Sequence, residues 1–280
     1  MAGSFSNSWT LVKASANVLK LDKELLVFPL LSGVAAVLVT VSFIAPLAVT
    51  GGWEIFAEGE DASYLGYALG FLFYLVQYAV IFFFNSALVG AALIRMDGGD
   101  PTVSDGLAIA FSRLSTILGY AAIAATVGMV LRAISERSGL LGRIAVGLVG
   151  MAWNLATYLA VPILVTEDLG PIDAVKKSAS LFRRTWGEQV VGNFGMGWAI
   201  FLGGLSWTVV SAGLIAGAAS VFPGAVVPAV GVAVLGYVFL ALVSSALKGI
   251  YTAALYRYAQ TGEAGLFDSG IVGSAFRPRR

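Results

Sequence analysis

The chain has 280 residues, of which 58% are hydrophobic and only 12% are charged, and its formal net charge is +1. It contains no cysteine and no histidine, which excludes disulfides, thiol nucleophiles, haem ligation and the usual zinc sites. So small a net charge indicates no polyanionic partner such as a nucleic acid.

Long stretches of the chain lack every acidic and basic residue: 25–53, 62–94, 114–131, 144–166 and 189–247. A helix needs about 20 apolar residues to cross the hydrocarbon core of a bilayer. The first four stretches are therefore expected to cross once each, and the last to cross twice with a turn at Phe222-Pro223-Gly224. The sequence predicts an all-α bundle in one domain, 1–280, with six transmembrane helices at 26–49, 64–94, 114–134, 144–165, 190–221 and 226–256.

Lysine and arginine are distributed unevenly between the loops that these crossings define. Most of them fall at the N-terminus, in the second and fourth loops and in the tail 257–280, whereas Arg132, Arg137 and Arg143 fall on the other side. Basic residues accumulate in the cytoplasmic loops of membrane proteins. We therefore predict a multi-pass protein of the cell membrane, plasma or inner, with both termini in the cytoplasm, although the three arginines around 135–143 oppose this topology.

Three segments on the predicted cytoplasmic side, 5–20, 102–113 and 171–186, have apolar residues at helical spacing. In the third segment these residues share one face: Ile172, Val175, Ala179, Phe182 and Trp186. Such amphipathic helices lie in the headgroup plane of a membrane, where anionic lipids attract their basic residues. The candidate surface for lipids or a partner is formed by Lys176, Lys177, Arg183, Arg184, Trp186 and Glu188.

Four blocks of sequence are distinctive in combination: LKLDKELLVFP at 19–29, AALIRMDGGDPTVSDG at 91–106, YLAVPILVTEDLGPIDAVKKSASLFRRTWGE at 158–188 and YTAALYRYAQTGE at 251–263. With these blocks the chain resembles an uncharacterised (DUF) family of prokaryotic six-pass integral membrane proteins. Its layout is also distantly similar to the membrane domain of some glycerophosphodiester phosphodiesterases, but their catalytic domain has no counterpart here. The resemblance implies a topology and a location, and it supplies no activity.

Lys248 is the only formal charge well inside a predicted crossing, and an intramembrane ionisable residue is a candidate functional site. It lies about 33 Å along the sixth helix at 1.5 Å per residue, where a lysine can also snorkel to the headgroups. The crossings contain or end on four amides: Gln77, Asn85, Asn154 and Asn193. These amides either join helices or form a polar cluster, and we hypothesise that Asn85, Asn193 and Lys248 converge.

Two further patterns leave alternatives open. The carboxylates Asp97, Asp100, Glu167 and Glu188 could serve a hydrolase or a magnesium site, but their spacing matches no motif, so we predict no catalytic residue, metal or cofactor. Small residues four apart, such as Ala87/Ala91 and Gly213/Gly217, allow close helix packing in lipid. This packing could occur within the monomer or in a homo-oligomer.

The sequence favours a non-enzymatic integral membrane protein that organises lipids or partner proteins at the cytoplasmic face. The expected partners are anionic membrane lipids, with a protein partner or a second copy as further options, and no nucleic acid. The alternative function is a small-solute transporter or channel. A third is an enzyme that acts on a lipid headgroup.

Overall fold

The computed structural model of the chain describes residues 2–56, 64–186 and 195–263, and within these ranges it is helical and contains no β-strand. Asn193, Glu188 and the part of the predicted tail beyond residue 263 lie outside the described residues. The side chain of Trp186 lies outside them as well, as do those of residues 1–11.

The described helices are numbered in chain order: α1 (Ala2–Leu21), α2 (Val27–Thr50), α3 (Tyr64–Met96), α4 (Val103–Ser112), α5 (Leu114–Glu136), α6 (Leu140–Ala156), α7 (Ala160–Thr166), α8 (Pro171–Trp186), α9 (Gly195–Val221) and α10 (Val226–Thr261). Short 3-10 turns lead into α2 at Lys23–Leu26, follow it at Gly52–Phe56, and join α9 to α10 at Pro223–Ala225. The turn predicted at Phe222-Pro223-Gly224 is therefore confirmed.

Six helical segments within the described ranges are long and apolar enough to cross a membrane: Lys23–Thr50, Tyr64–Met96, Leu114–Glu136, Leu140–Thr166, Ile200–Val221 and Val226–Thr261. They confirm the predicted all-α fold with six membrane-competent helices. The predicted amphipathic segments also form helices of their own, namely α1, α4 and α8.

The fourth of these segments, Leu140–Thr166, agrees with the crossing predicted at 144–165, but its helix is interrupted. Its helical pattern stops at Ala156 and resumes at Ala160, where the N–H donates to the Thr157 carbonyl at 2.9 Å, a bond that spans three residues instead of four. Pro162 has no N–H to offer the Tyr158 carbonyl. The missing bond weakens the helix at this point.

The chain divides into two compact units. Unit 1 comprises Met1–Leu26, Ala92–Asp100 and Thr185–Arg280, and unit 2 comprises Val27–Ala91 and Pro101–Arg184. The expectation of a single domain over 1–280 stays a prediction.

In unit 1, α1 packs against α9 and α10. Its buried residues Ser15, Val18 and Leu19 form one face. The α9–α10 hairpin is joined by the indole of Trp207, whose Nε1 donates to the Ala233 carbonyl at 3.1 Å. The two helices can approach closely at this level because α10 has Gly236 beside the indole.

In unit 2, α4 begins with a capping box, in which Thr102 and Asp105 satisfy each other's backbone N–H groups. One turn along, Gly106 packs against Phe28 and the Ala87 carbonyl with no room for a larger residue. These contacts tie α4 to α2 and α3, so the predicted surface helix 102–113 is also a packed element of its unit.

Candidate functional site

The helix that carries the predicted basic surface, α8, is well specified by its sequence. It begins at Pro171, whose missing N–H is tolerated in a first helical turn. Asp173 lies in the first turn and Arg183 and Arg184 lie in the last, which is the arrangement of charge that the helix dipole favours.

Three faces follow one another around α8. One face is buried in the protein and consists of Ala174, Ser178, Leu181 and Phe182. The next holds the apolar residues predicted to face lipid, of which Ile172 is 60% exposed and Val175 and Ala179 are half-buried. The third face is exposed and polar: Asp173, Lys176, Ser180, Arg183 and Arg184. The predicted apolar face therefore lies beside the face that packs on protein, and Phe182 belongs to both.

The buried face of α8 is anchored at the break in the fourth membrane segment. The Leu159 N–H, between α6 and α7, donates to the Ser178 hydroxyl at 3.0 Å, and both residues are fully buried. The rings of Tyr158 and Phe182 lie 5.9 Å apart, centroid to centroid. The sequence analysis missed Ser178, although Ala174 and Ser178 are small residues four apart, a spacing that permits close helix approach.

The two lysines of the predicted surface differ in their surroundings. Lys177 Nζ lies 2.5 Å from Glu167 Oε2, and the Glu167 side chain is only 19% exposed. Lys176 Nζ lies 3.2 Å from Asp173 Oδ1, with both side chains largely exposed. Exposed pairs at this spacing contribute little free energy, so Lys176 is readily available to another anion whereas Lys177 is held by Glu167.

Arg183 and Arg184 are exposed, and neither forms an ion pair with any other residue that the structure describes. Together with Lys176 they present three positive charges on one side of α8. Trp186 and Glu188, which the sequence analysis adds to this surface, lie outside the described side chains.

The described carboxylates considered for catalysis are engaged in ion pairs. In unit 1, Arg257 pairs with Asp97, and Arg95 pairs with Asp100 as well as with the buried Asp22 at 3.4 Å. In unit 2, Glu167 pairs with Lys177. Among the described residues, no cluster of three or more acidic side chains could hold a metal ion.

The intramembrane amides have different environments. Gln77 Nε2 donates to Thr40 Oγ1 at 2.7 Å and to the Ala36 carbonyl at 3.1 Å, and so it joins α3 to α2. Asn154 is exposed on α6, and Asn85 is half-buried on α3 in unit 2. Lys248 is exposed on α10 in unit 1. Since Asn193 is not described, the convergence of Asn85, Asn193 and Lys248 stays a prediction.

The chain matches a protein-family model over residues 64–267, and that model is described as "Family of unknown function (DUF6159)". No curated protein and no solved structure matches the chain. The matched range runs from the start of α3 through the end of α10 and covers well over half of the sequence. The chain therefore belongs to the family of unknown function DUF6159.

Proposed function

We propose that this protein is a non-enzymatic integral membrane protein that organises anionic lipids, or partner proteins, at the cytoplasmic face of the membrane. The observation that carries this proposal is the division of α8 into a docked face, an uncovered apolar face and a basic face. Packing on protein alone does not account for the second face, because Ile172 is 60% exposed.

The energetics favour lipid as the occupant of the uncovered faces. An apolar face next to a basic face suits the boundary between acyl chains and headgroups. Each lysine or arginine near an anionic membrane surface contributes about 1 kcal/mol to binding. Lys176, Arg183 and Arg184 together therefore provide several kcal/mol, added to the burial of Ile172 and its neighbours.

A cytoplasmic location of both termini is part of this proposal, as is a prokaryotic inner membrane. Of the three arginines that oppose this topology, Arg132 has its charge partly balanced: its Nε lies 2.6 Å from Glu136 Oε1, and its Nη1 donates to the Tyr74 hydroxyl.

The chain has no cysteine, so single-cysteine variants report topology without background. In intact cells an impermeant maleimide should label Ser138→Cys and spare Ser104→Cys, and the reverse pattern would invert the topology.

The membrane lipids and proteins that co-purify in mild detergent test the main proposal. The variant R183Q/R184Q should retain less anionic lipid, or less of a specific partner, than the wild type. R137Q/R143Q is the matched control, because it removes the same charge from exposed arginines that lie in the α5–α6 region. Equal retention by the wild type and both variants would refute the proposal.

A small-solute transporter remains the second candidate, and the break between α6 and α7 favours it. Discontinuous membrane helices expose backbone groups that bind solutes in some transporters. Asn154 lies just before this break. An Asn154→Cys variant that reacts with an impermeant thiol reagent would favour transport, whereas protection by lipid would exclude a water-filled path at this point.

The third candidate, an enzyme that acts on a lipid headgroup, has no such support, because the described carboxylates that it would need are ion-paired.

A further inference from the structure

We propose that α8 binds the phosphate of one anionic phospholipid headgroup at a site centred on Ser180. This inference rests on the proposed function and assigns its lipid-binding surface to a particular set of side chains. Ser180 is exposed on the polar face, in contrast to the buried Ser178 two residues earlier. Its hydroxyl makes no hydrogen bond within the described part of the chain.

The helix brings three exposed cationic side chains of α8 around this hydroxyl. Lys176 precedes Ser180 by four residues, and Arg183 and Arg184 follow it by three and four. Side chains at these spacings are neighbours on a helix, with about 5–6 Å between Cβ atoms. Lys177 is also three residues away, but its ammonium group is held by Glu167. The site therefore consists of one hydroxyl and three cationic groups.

This set of donors matches the chemistry of a phosphate diester. An arginine guanidinium can give two parallel N–H bonds to phosphate oxygens, a lysine ammonium contributes a compact positive charge, and a serine hydroxyl donates one further bond. On the polar face of α8 that the structure describes, the acid is Asp173, which forms an exposed pair with Lys176. A bound phosphate can replace it at small cost in free energy.

The position of the site on the helix favours a lipid over a soluble phosphate. Its neighbour in sequence, Ala179, belongs to the uncovered apolar face with Val175 and Ile172, and Ile172 is 60% exposed. A phospholipid whose headgroup phosphate binds at Ser180 can therefore place its acyl chains over apolar side chains of the same helix. A free phosphate ion would contact the basic side chains and leave the apolar ones uncovered.

The test is a titration of the detergent-purified full-length protein with phosphatidylglycerol and phosphatidylcholine, with bound lipids counted by native mass spectrometry. Ser180→Ala should weaken the tightest phosphatidylglycerol site about ten- to a hundredfold, the effect of losing one hydrogen bond to a charged group. Alanine is a better helix former than serine, so unfolding of α8 cannot cause this loss. Ser104→Ala, on the exposed side of α4, should bind like the wild type.

The arginine variant separates this inference from the proposed function. If Ser180→Ala binds like the wild type while R183Q/R184Q loses phosphatidylglycerol, the Ser180 site is wrong and the basic surface stands. If neither variant loses lipid, both proposals fail. Equal binding of phosphatidylcholine, or complete competition by millimolar inorganic phosphate, would also overturn an anionic lipid as the occupant.

Discussion

The backbone N–H of Leu159 donates a hydrogen bond to the Ser178 hydroxyl over 3.0 Å, and both residues are fully buried. The donor belongs to the break between α6 and α7, and the acceptor belongs to α8. One hydrogen bond therefore fixes the basic helix to the fourth membrane segment. It also satisfies a backbone group that would otherwise have no partner in an apolar environment.

Ser178→Ala should destabilise the protein by about 1–3 kcal/mol, because the buried Leu159 N–H loses its acceptor. The measurement is thermal unfolding in detergent, followed by tryptophan fluorescence. Ser104→Ala is the matched control, since Ser104 is exposed. Equal unfolding midpoints for the two variants would show that the Ser178 bond does not stabilise the fold.

Gly106→Ala should destabilise unit 2 through overpacking. A Cβ at this position would lie 2.4 Å from Phe28 Cζ and 2.8 Å from the Ala87 carbonyl oxygen. Because that oxygen belongs to the backbone of α3, the clash requires a shift of the helix, at a cost of about 1–3 kcal/mol. Gly147→Ala in α6, with no atom within 4 Å of the new Cβ, should leave the unfolding midpoint unchanged or raise it.

Gly236→Ala should weaken the α9–α10 hairpin. The added Cβ would lie 2.0 Å from Trp207 Cζ2, so the indole must move and give up its bond to the Ala233 carbonyl, at a cost of about 1 kcal/mol. The same substitution at Gly231 meets nothing within 4 Å and serves as the control. In a Trp207→Ala background the Gly236→Ala cost should disappear, and an undiminished cost would refute this contact.

The Thr102–Asp105 capping box should make the stability of α4 depend on pH. The backbone N–H of Thr102, and then its hydroxyl, donate to the Asp105 carboxylate and lower its pKa below the ordinary value. A carboxylate with a lowered pKa stabilises the fold above its unfolded pKa, about 3.9, and this contribution is lost as the pH falls through the folded pKa. The unfolding midpoint of Asp105→Asn should therefore fall below that of the wild type at neutral pH and approach it in acid. A difference that does not change with pH would contradict this assignment.

The helices were predictable from the sequence because charge marks their limits. The run 189–247 contains no charge, and Pro223 and Gly224 within it are sufficient to predict the turn between α9 and α10. The break before Ala160 was not predictable, because Pro162 alone does not say whether a helix bends or stops. That outcome depends on Ser178, which supplies an acceptor from another helix.

The candidate site was predictable only in part, because tertiary contacts decide which face of α8 is buried and which of its charges are paired. The helical spacing of Ile172, Val175 and Ala179 identified an apolar face, but the face that packs on protein is set by tertiary contacts. The engagement of Lys177 by Glu167 is likewise a tertiary contact. Among the small-residue pairs, Ala87/Ala91 is buried, whereas a Cβ at Gly213 or Gly217 would meet no atom within 4 Å, and spacing alone does not distinguish these cases.

The central claim, that α8 lies at the membrane surface with one face toward acyl chains and one toward headgroups, is tested most directly by spin labels on that helix. Because the chain has no cysteine, Ile172→Cys and Ser180→Cys each carry a single label at an exposed position. In lipid bilayers we predict that oxygen relaxes the label at residue 172 and a water-soluble nickel chelate relaxes the label at residue 180. Equal relaxation of both labels by the nickel chelate would show that α8 is surrounded by water, and would contradict the account.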